Sequence, residues 1–160
     1  MPSSPTFEDF VAMHGRTLGG FALLITGNHH DAQDVLQEAL IGLYPKWRRV
    51  VEQGDPLAYV RRSIVNRHLS AGRKLRRLVS LDHGRVPSTD PIRAVDGREW
   101  ALSMLATLPE RQRVAVVLRV MEGREFAEIA DALGVSEGNA RKIVSRGVAA
   151  LRARPTEEES

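Results

Sequence analysis

The sequence contains no cysteine. That excludes disulfides, thiolate metal sites and cysteine nucleophiles, and it fits a reducing compartment. Aromatic residues are only 5% of the 160 positions, so packing must rest mainly on aliphatic side chains. No apolar run approaches the ~18 residues of a transmembrane helix. The opening stretch MPSSPTFEDF lacks the basic patch and apolar run of a secretory leader, so a cytoplasmic chain is expected. No strict apolar–polar alternation marks a half-buried strand. The phosphate-loop, nucleophile-elbow and HExxH signatures are also missing. The length allows one modest core or two minimal ones, too little for a large cofactor-binding enzyme fold.

Charge is strongly segregated along the chain. Residues 46–79 hold ten Lys and Arg against Glu52 and Asp55, a net of +8, whereas residues 1–45 come to −4. A second basic block at 137–154 carries +4, and the tail 155–160 carries −3. Concentrated positive charge suits a polyanion, either nucleic acid or an acidic membrane surface. A solvated Arg-rich face is the plain alternative.

Helical periodicity dominates. Phe7, Phe10, Val11, His14, Leu18, Phe21, Ala22 and Ile25 share one face, and Thr26-Gly27-Asn28 ends that helix. Ala32, Val35, Leu36, Ala39, Leu40 and Leu43 mark a second helix, with Asp31 as the expected cap. A third starts at Asp55-Pro56 and runs toward Lys74 with Leu57, Val60 and Ile64 inward. Residues 80–97 mix Ser, Asp, Gly and Pro and read as a flexible connector.

Helical spacing then resumes. Trp100, Leu102, Leu105 and Leu108 lie in one helix, and Val114, Val117, Leu118 and Met121 in the next. Phe126, Ile129, Ala130 and Leu133 mark a short helix, and Ala140, Ile143, Val144, Val148 and Leu151 a longer one. The acidic tail 155–160 is expected to be disordered. The expected fold is all-α, with two small helical domains and a flexible linker.

The last two helices have helix-turn-helix form. Gly134 permits a left-handed turn, Val135 plugs the core and Ser136 caps the second helix. Asn139, Arg141, Lys142, Ser145 and Arg146 lie off its apolar stripe. Such a helix can enter a major groove, where Arg and Lys meet guanine or phosphate and Asn meets adenine. The free N–H groups of Glu137–Asn139 suit a phosphate, and Glu137 itself suits a cytosine amino group. Helix-turn-helix units also serve as protein-binding modules.

The basic stretch 46–77 offers a second surface. Arg62, Asn66, Ser70 and Arg73 fall on one side of its helix, flanked by Arg61 and Arg67. Trp47 and Tyr59 either stack on unpaired bases or pack in the core. On helix 32–43, Asp34, Gln37, Glu38 and Ile41 point away from the apolar face, as a protein-docking stripe or a solvated one. An enzyme built on His29-His30-Asp31 lacks supporting ligands at metal spacing.

Taken together, LLITGNHHDAQDVLQEALIGLYPKW, DPLAYVRRSIVNRHLS and ALSMLATLPERQRVAVVLRVMEGREFAEIADALGVSEGNARKIVSRGVAALR resemble a bacterial RNA polymerase sigma factor. The resemblance is to the extracytoplasmic-function (ECF) type of the sigma-70 family, in its SigE-like group. It spans about Phe7 to Arg152.

The resemblance implies a region 2 helical bundle over 1–79, a linker over 80–97 and a region 4 helix-turn-helix over 98–154. Asp34, Gln37, Glu38 and Ile41 would meet the clamp helices of the polymerase β′ subunit, and region 4 the β flap. Arg48, Arg49, Arg61, Arg62, Asn66, Arg67 and Arg73 would hold the −10 element, with a 48–55 loop capturing an unpaired base. Ser136, Glu137, Gly138, Asn139, Arg141, Lys142, Ser145 and Arg146 would read the −35 element.

The implied partners are core RNA polymerase, promoter DNA and an anti-sigma factor. No cofactor, metal, catalytic residue or membrane is implied, and the free protein would be a monomer. The chain departs from the family at Asn139-Ala140-Arg141-Lys142, where Thr-Val-Lys-Ser is common, which leaves the −35 preference open. Gly147 replaces a usual Ala and is expected to weaken its helix. The extra regulatory domain of some relatives is not expected. The competing reading is a stand-alone helix-turn-helix regulator that binds duplex DNA without core polymerase.

Overall fold

A computed structural model describes residues 4–79 and 97–153, with side chains described over 4–72 and 100–153. The expected connector, except Gly97, and the expected disordered tail lie outside the described residues, as does the Arg73 side chain. Among the described residues the ordered elements are helices, with no strand. The chain divides into two compact units, Met1–Ser88 and Thr89–Ser160.

In the first unit, α1 (Phe7–Thr26) packs on α2 (His29–Leu43), and α4 (Pro56–Val79) packs on both. The three helices close on Leu18, Ile25, Leu43, Val60 and Ile64, each essentially inaccessible to water. Local chemistry sets the boundaries. The Thr6 hydroxyl accepts from the Asp9 N–H at 3.1 Å to start α1. Gly27 ends it at φ 82°, a left-handed conformation that favours glycine. Asp55 caps α4 by accepting from the Ala58 N–H at 3.0 Å.

Two expectations change here. The cap of α2 is Asn28, whose side-chain oxygen accepts from the Asp31 N–H at 2.8 Å. Its amide donates to the Asp31 carboxylate at 2.8 Å, so Asp31 braces the cap and the helix starts earlier than expected. The expected 48–55 loop is mostly helix. A 3-10 turn (Tyr44–Lys46) runs into α3 (Trp47–Glu52), and only 53–55 connect α3 to α4. Val50 anchors α3 in the core.

Trp47 explains why that segment winds up. Its ring packs against Phe7 and Phe10 at centroid distances of 5.8 and 5.2 Å. Its indole N–H donates to the Pro5 carbonyl at 3.2 Å. Trp47 therefore ties α3 to the start of α1, satisfying both its apolar body and its polar handle.

The second unit contains α5 (Gly97–Ala106), α6 (Glu110–Val116), α7 (Phe126–Leu133) and α8 (Glu137–Arg152). Here α8 packs on α6 and α7. Leu102, Leu105, Val114, Val117, Ile129, Leu133, Ala140 and Val144 are buried. Gly97, expected in the connector, opens α5, while Leu108 lies beyond its end.

A π-helical turn (Val117–Met121) follows α6. Its wider winding rotates later side chains off the expected stripe, leaving Met121 half-exposed and Val120 more so. Trp100 on α5 is 62% exposed.

Gly147 is buried where α8 crosses α6. A Cβ there would meet Val116 Cγ2 at 2.6 Å, with Gln112 Cβ and backbone oxygen each at 3.5 Å. The glycine that local propensity marks as a weakness is the residue that lets the two helices approach.

Candidate nucleic-acid interface

In the first unit α2 turns one face outward. Asp34, Gln37, Glu38 and Ile41 are all exposed, with Ile41 72% accessible although it is a large aliphatic residue. Tyr44 extends the stripe one step further at 61% exposure, and its ring meets Phe7 edge-on at 5.1 Å. Sequence reading omitted Tyr44, although the three-residue step from Ile41 points to it. The stripe is acidic at its start, where His30 lies 3.5 Å from Asp34.

Beside this stripe runs a groove of about 650 Å³ between α2 and α4. Its lining is Glu38 from α2 with Tyr59, Arg62, Ser63, Asn66, Arg67, Ser70 and Ala71 from α4. Positions 59, 62, 63, 66, 67 and 70 recur at three-and-four spacing, so one face of α4 forms the wall. The mixture suits a nucleic-acid strand: an aromatic ring, two guanidiniums, an amide and hydroxyls. Tyr59 is half-buried against this groove, whereas Trp47 is engaged by Phe7 and Phe10.

The remaining basic residues are elsewhere. Arg61 is half-buried and sits 5.9 Å from the centroid of Phe21 on α1. Arg48 and Arg49 are exposed on α3. The structure thus gathers Arg62, Asn66 and Arg67 in one groove, apart from Arg48, Arg49 and Arg61.

In the second unit, Gly134 turns the chain at φ 68° and Ser136 accepts from the Asn139 N–H at 3.1 Å. Ala140, Val144 and Gly147 face the core. Ser136, Glu137, Gly138, Asn139, Arg141, Lys142, Ser145 and Arg146 are all exposed, so the whole predicted reading set lies on the open side of α8. Arg141 is partly engaged, with its Nη2 3.0 Å from the Glu137 carboxylate. Its guanidinium also stacks on Phe126 at 4.6 Å, beside that of Arg119 at 4.1 Å. Sequence reading missed this stack, because Arg119 and Phe126 belong to other helical segments.

Among the described residues no helix is long and apolar enough to cross a membrane. No group of three or more His, Cys, Asp or Glu is placed to hold a metal there.

A groove of this chemistry on one helical unit and a helix-turn-helix on another meet a direct counterpart among known proteins. The model of sigma-70 region 2 matches residues 10–78, and that of sigma-70 region 4 matches 98–151. The chain belongs to the sigma-70 family. It is 31% identical to the RNA polymerase sigma-E factor of Streptomyces coelicolor over 91% of this chain and 84% of that protein. It is also 31% identical to the ECF RNA polymerase sigma factor SigE of Mycolicibacterium smegmatis, over 92% of this chain and 61% of that one. The fold resembles that of the sigma factor RpoE solved with the anti-sigma factor NepR from Bartonella quintana. That likeness has a TM-score of 0.64 at 23% identity and covers 91% and 94% of the two chains.

The protein is therefore a sigma factor of the ECF branch, and it directs RNA polymerase to promoters in transcription initiation. The stand-alone regulator is not favoured. The family is one of transcription initiation factors rather than of enzymes.

Proposed function

We propose that the sigma factor divides its work among three surfaces. The α2 stripe of Asp34, Gln37, Glu38, Ile41 and Tyr44 docks on the clamp helices of the polymerase β′ subunit. The groove between α2 and α4 holds the −10 strand as it unpairs. The open side of α8 reads the −35 element in a major groove, while its unit rests on the β flap. Arg48 and Arg49 on α3 and Arg73 further along α4 contact backbone phosphates. The protein acts in the cytoplasm and is a monomer when free.

The observation that carries this reading is the position of Glu38, which belongs to the exposed stripe and also lines the groove. A chain seated on polymerase through α2 would thus present the groove at the edge of the contact. Unstacking a base costs a few kcal/mol, and stacking on an aromatic ring returns about 1–3 kcal/mol. Tyr59 supplies the ring, and Arg62 and Arg67 supply phosphate contacts. For α8, the N–H groups of Glu137 and Gly138 suit a phosphate, the Asn139 N–H being already taken by the Ser136 hydroxyl, and the Asn139, Lys142 and Arg146 side chains suit base edges.

The Bartonella quintana relative is bound by an anti-sigma factor. We infer the same mode of control here, by a protein that covers the α2 stripe. Run-off transcription with purified core polymerase on a fragmented genomic library tests the whole reading. Protein-dependent transcripts sharing −35 and −10 elements are expected. Tight duplex binding without stimulation of core enzyme would instead make the chain a stand-alone regulator.

A further inference from the structure

Among the exposed side chains of α8, Arg141 is held both from within its own helix and from another helical segment. Glu137, one turn earlier, grips its Nη2 at 3.0 Å. The Phe126 ring, at the first position of α7, carries its guanidinium at 4.6 Å. The same ring carries Arg119 from the π-helical turn at 4.1 Å. Arg119 is tied down in its own right, donating from Nη1 to the Arg124 carbonyl at 2.9 Å. A π face attracts a cation, whereas an aliphatic side chain of similar volume only fills space. A planar guanidinium already held in place loses less freedom on meeting a base edge than one that is unrestrained.

We infer that Phe126 is a positioning residue for promoter reading: its ring fixes the Arg141 guanidinium, with Glu137 as a brace. Base preference at the position facing Arg141 then depends on a ring in α7, outside the reading helix. This rests on the proposal that α8 reads duplex DNA.

The test uses the full chain with core polymerase on a promoter mapped by run-off transcription. Each base pair of its −35 element is substituted in turn. Phe126→Leu is expected to lower the preference for the native base pair at one position about two- to fivefold, the worth of an exposed cation–π contact. Phe126→Tyr restores that preference. In an Arg141→Ala background, Phe126→Leu brings no further change.

A uniform loss on all templates, or an equal added loss in the Arg141→Ala background, would overturn the inference and leave Phe126 as packing alone. Arg141→Ala that shifts preference while Phe126→Leu does not would also overturn it, with α8 reading intact. Arg141→Ala without effect at every position would remove Arg141 from base reading and the inference with it. Phe126→Met supplies a second ring-free variant should leucine unfold the unit, which thermal unfolding reports.

Discussion

Arg67 on α4 reaches across to α2, where its Nη1 lies 3.8 Å from the Glu38 carboxylate. Its Nε donates to the Ser63 hydroxyl at 3.2 Å, one turn back on α4. The absence of a side chain at Gly42 makes room, since a Cβ there would stand 2.7 Å from Arg67 Nη2. A residue of the acidic stripe and a residue of the basic groove are therefore partners before either meets polymerase or DNA.

Both members of this pair are substantially exposed, so the bond contributes little to folding, about 0.2–1 kcal/mol. Glu38→Gln is accordingly expected to shift the melting temperature by only a few degrees. Its larger effect falls on assembly with core polymerase, measured by competition against the unmodified protein. A melting shift large enough to account for lost assembly would place Glu38 in folding rather than docking.

Gly147→Ala sets two effects against each other. Helix propensity favours alanine by about 1 kcal/mol. Overpacking costs about 1–3 kcal/mol, because the added methyl would meet Val116 Cγ2, and a buried β-branched side chain cannot swing away. Net destabilisation of the second unit is expected, relieved by Val116→Ala in the same chain. Chemical denaturation of the single and double variants measures both, and a more stable Gly147→Ala protein would contradict the account.

The cap of α8 separates folding from DNA contact. Ser136→Ala removes the acceptor for the Asn139 N–H and is expected to cost about 1 kcal/mol. Ser136→Asp keeps the cap but adds a negative charge where a phosphate is proposed to bind. It should leave stability nearly unchanged while weakening duplex binding, with the loss growing as salt is lowered. Equal binding by the Asp variant and the unmodified protein across salt would rule out a phosphate at this site.

Trp47 and Tyr59 are expected to fail in different ways. Trp47→Ala strips the packing against Phe7 and Phe10 and the bond to Pro5, and should cost about 3 kcal/mol of stability. Tyr59→Ala opens the groove and should chiefly slow open-complex formation. Permanganate footprinting of the −10 region, paired with thermal unfolding, distinguishes them. The same defect in both assays for both variants would mean that the two rings share one role.

Much of this molecule is local and therefore readable along the chain. Apolar residues at three-and-four spacing give α1, α2 and α8. Asp55 and Ser136 act as the caps their side chains suit, and Gly134 makes the left-handed turn. The outward faces of α2 and α8 follow from the same periodicity, because the inward face names its opposite. Family membership was also legible, since motif order and spacing survive at 31% identity.

The features that escaped sequence reading depend on contacts between segments. Residues 48–55 look like a loop until Trp47 is seen packed on Phe7 and Phe10. Met121 shares helical spacing with Val114, Val117 and Leu118, but the π-helical turn leaves it half-exposed. Arg61 and Arg62 are neighbours in sequence, but successive helical positions diverge by about 100°. One therefore faces Phe21 and the other the groove.

Gly147 and Phe126 show the boundary most clearly. Propensity assigns Gly147 a cost, and packing against Val116 supplies its reason. Spacing assigns Phe126 to a core, and only the approach of Arg119 and Arg141 makes it a cation-holding ring. Backbone sterics and hydrophobic periodicity act over a few residues, so the sequence alone was sufficient for the helices and their exposed faces. Which side chains meet across helices depends on distances set by close packing of distant segments, and that was decided by the tertiary structure.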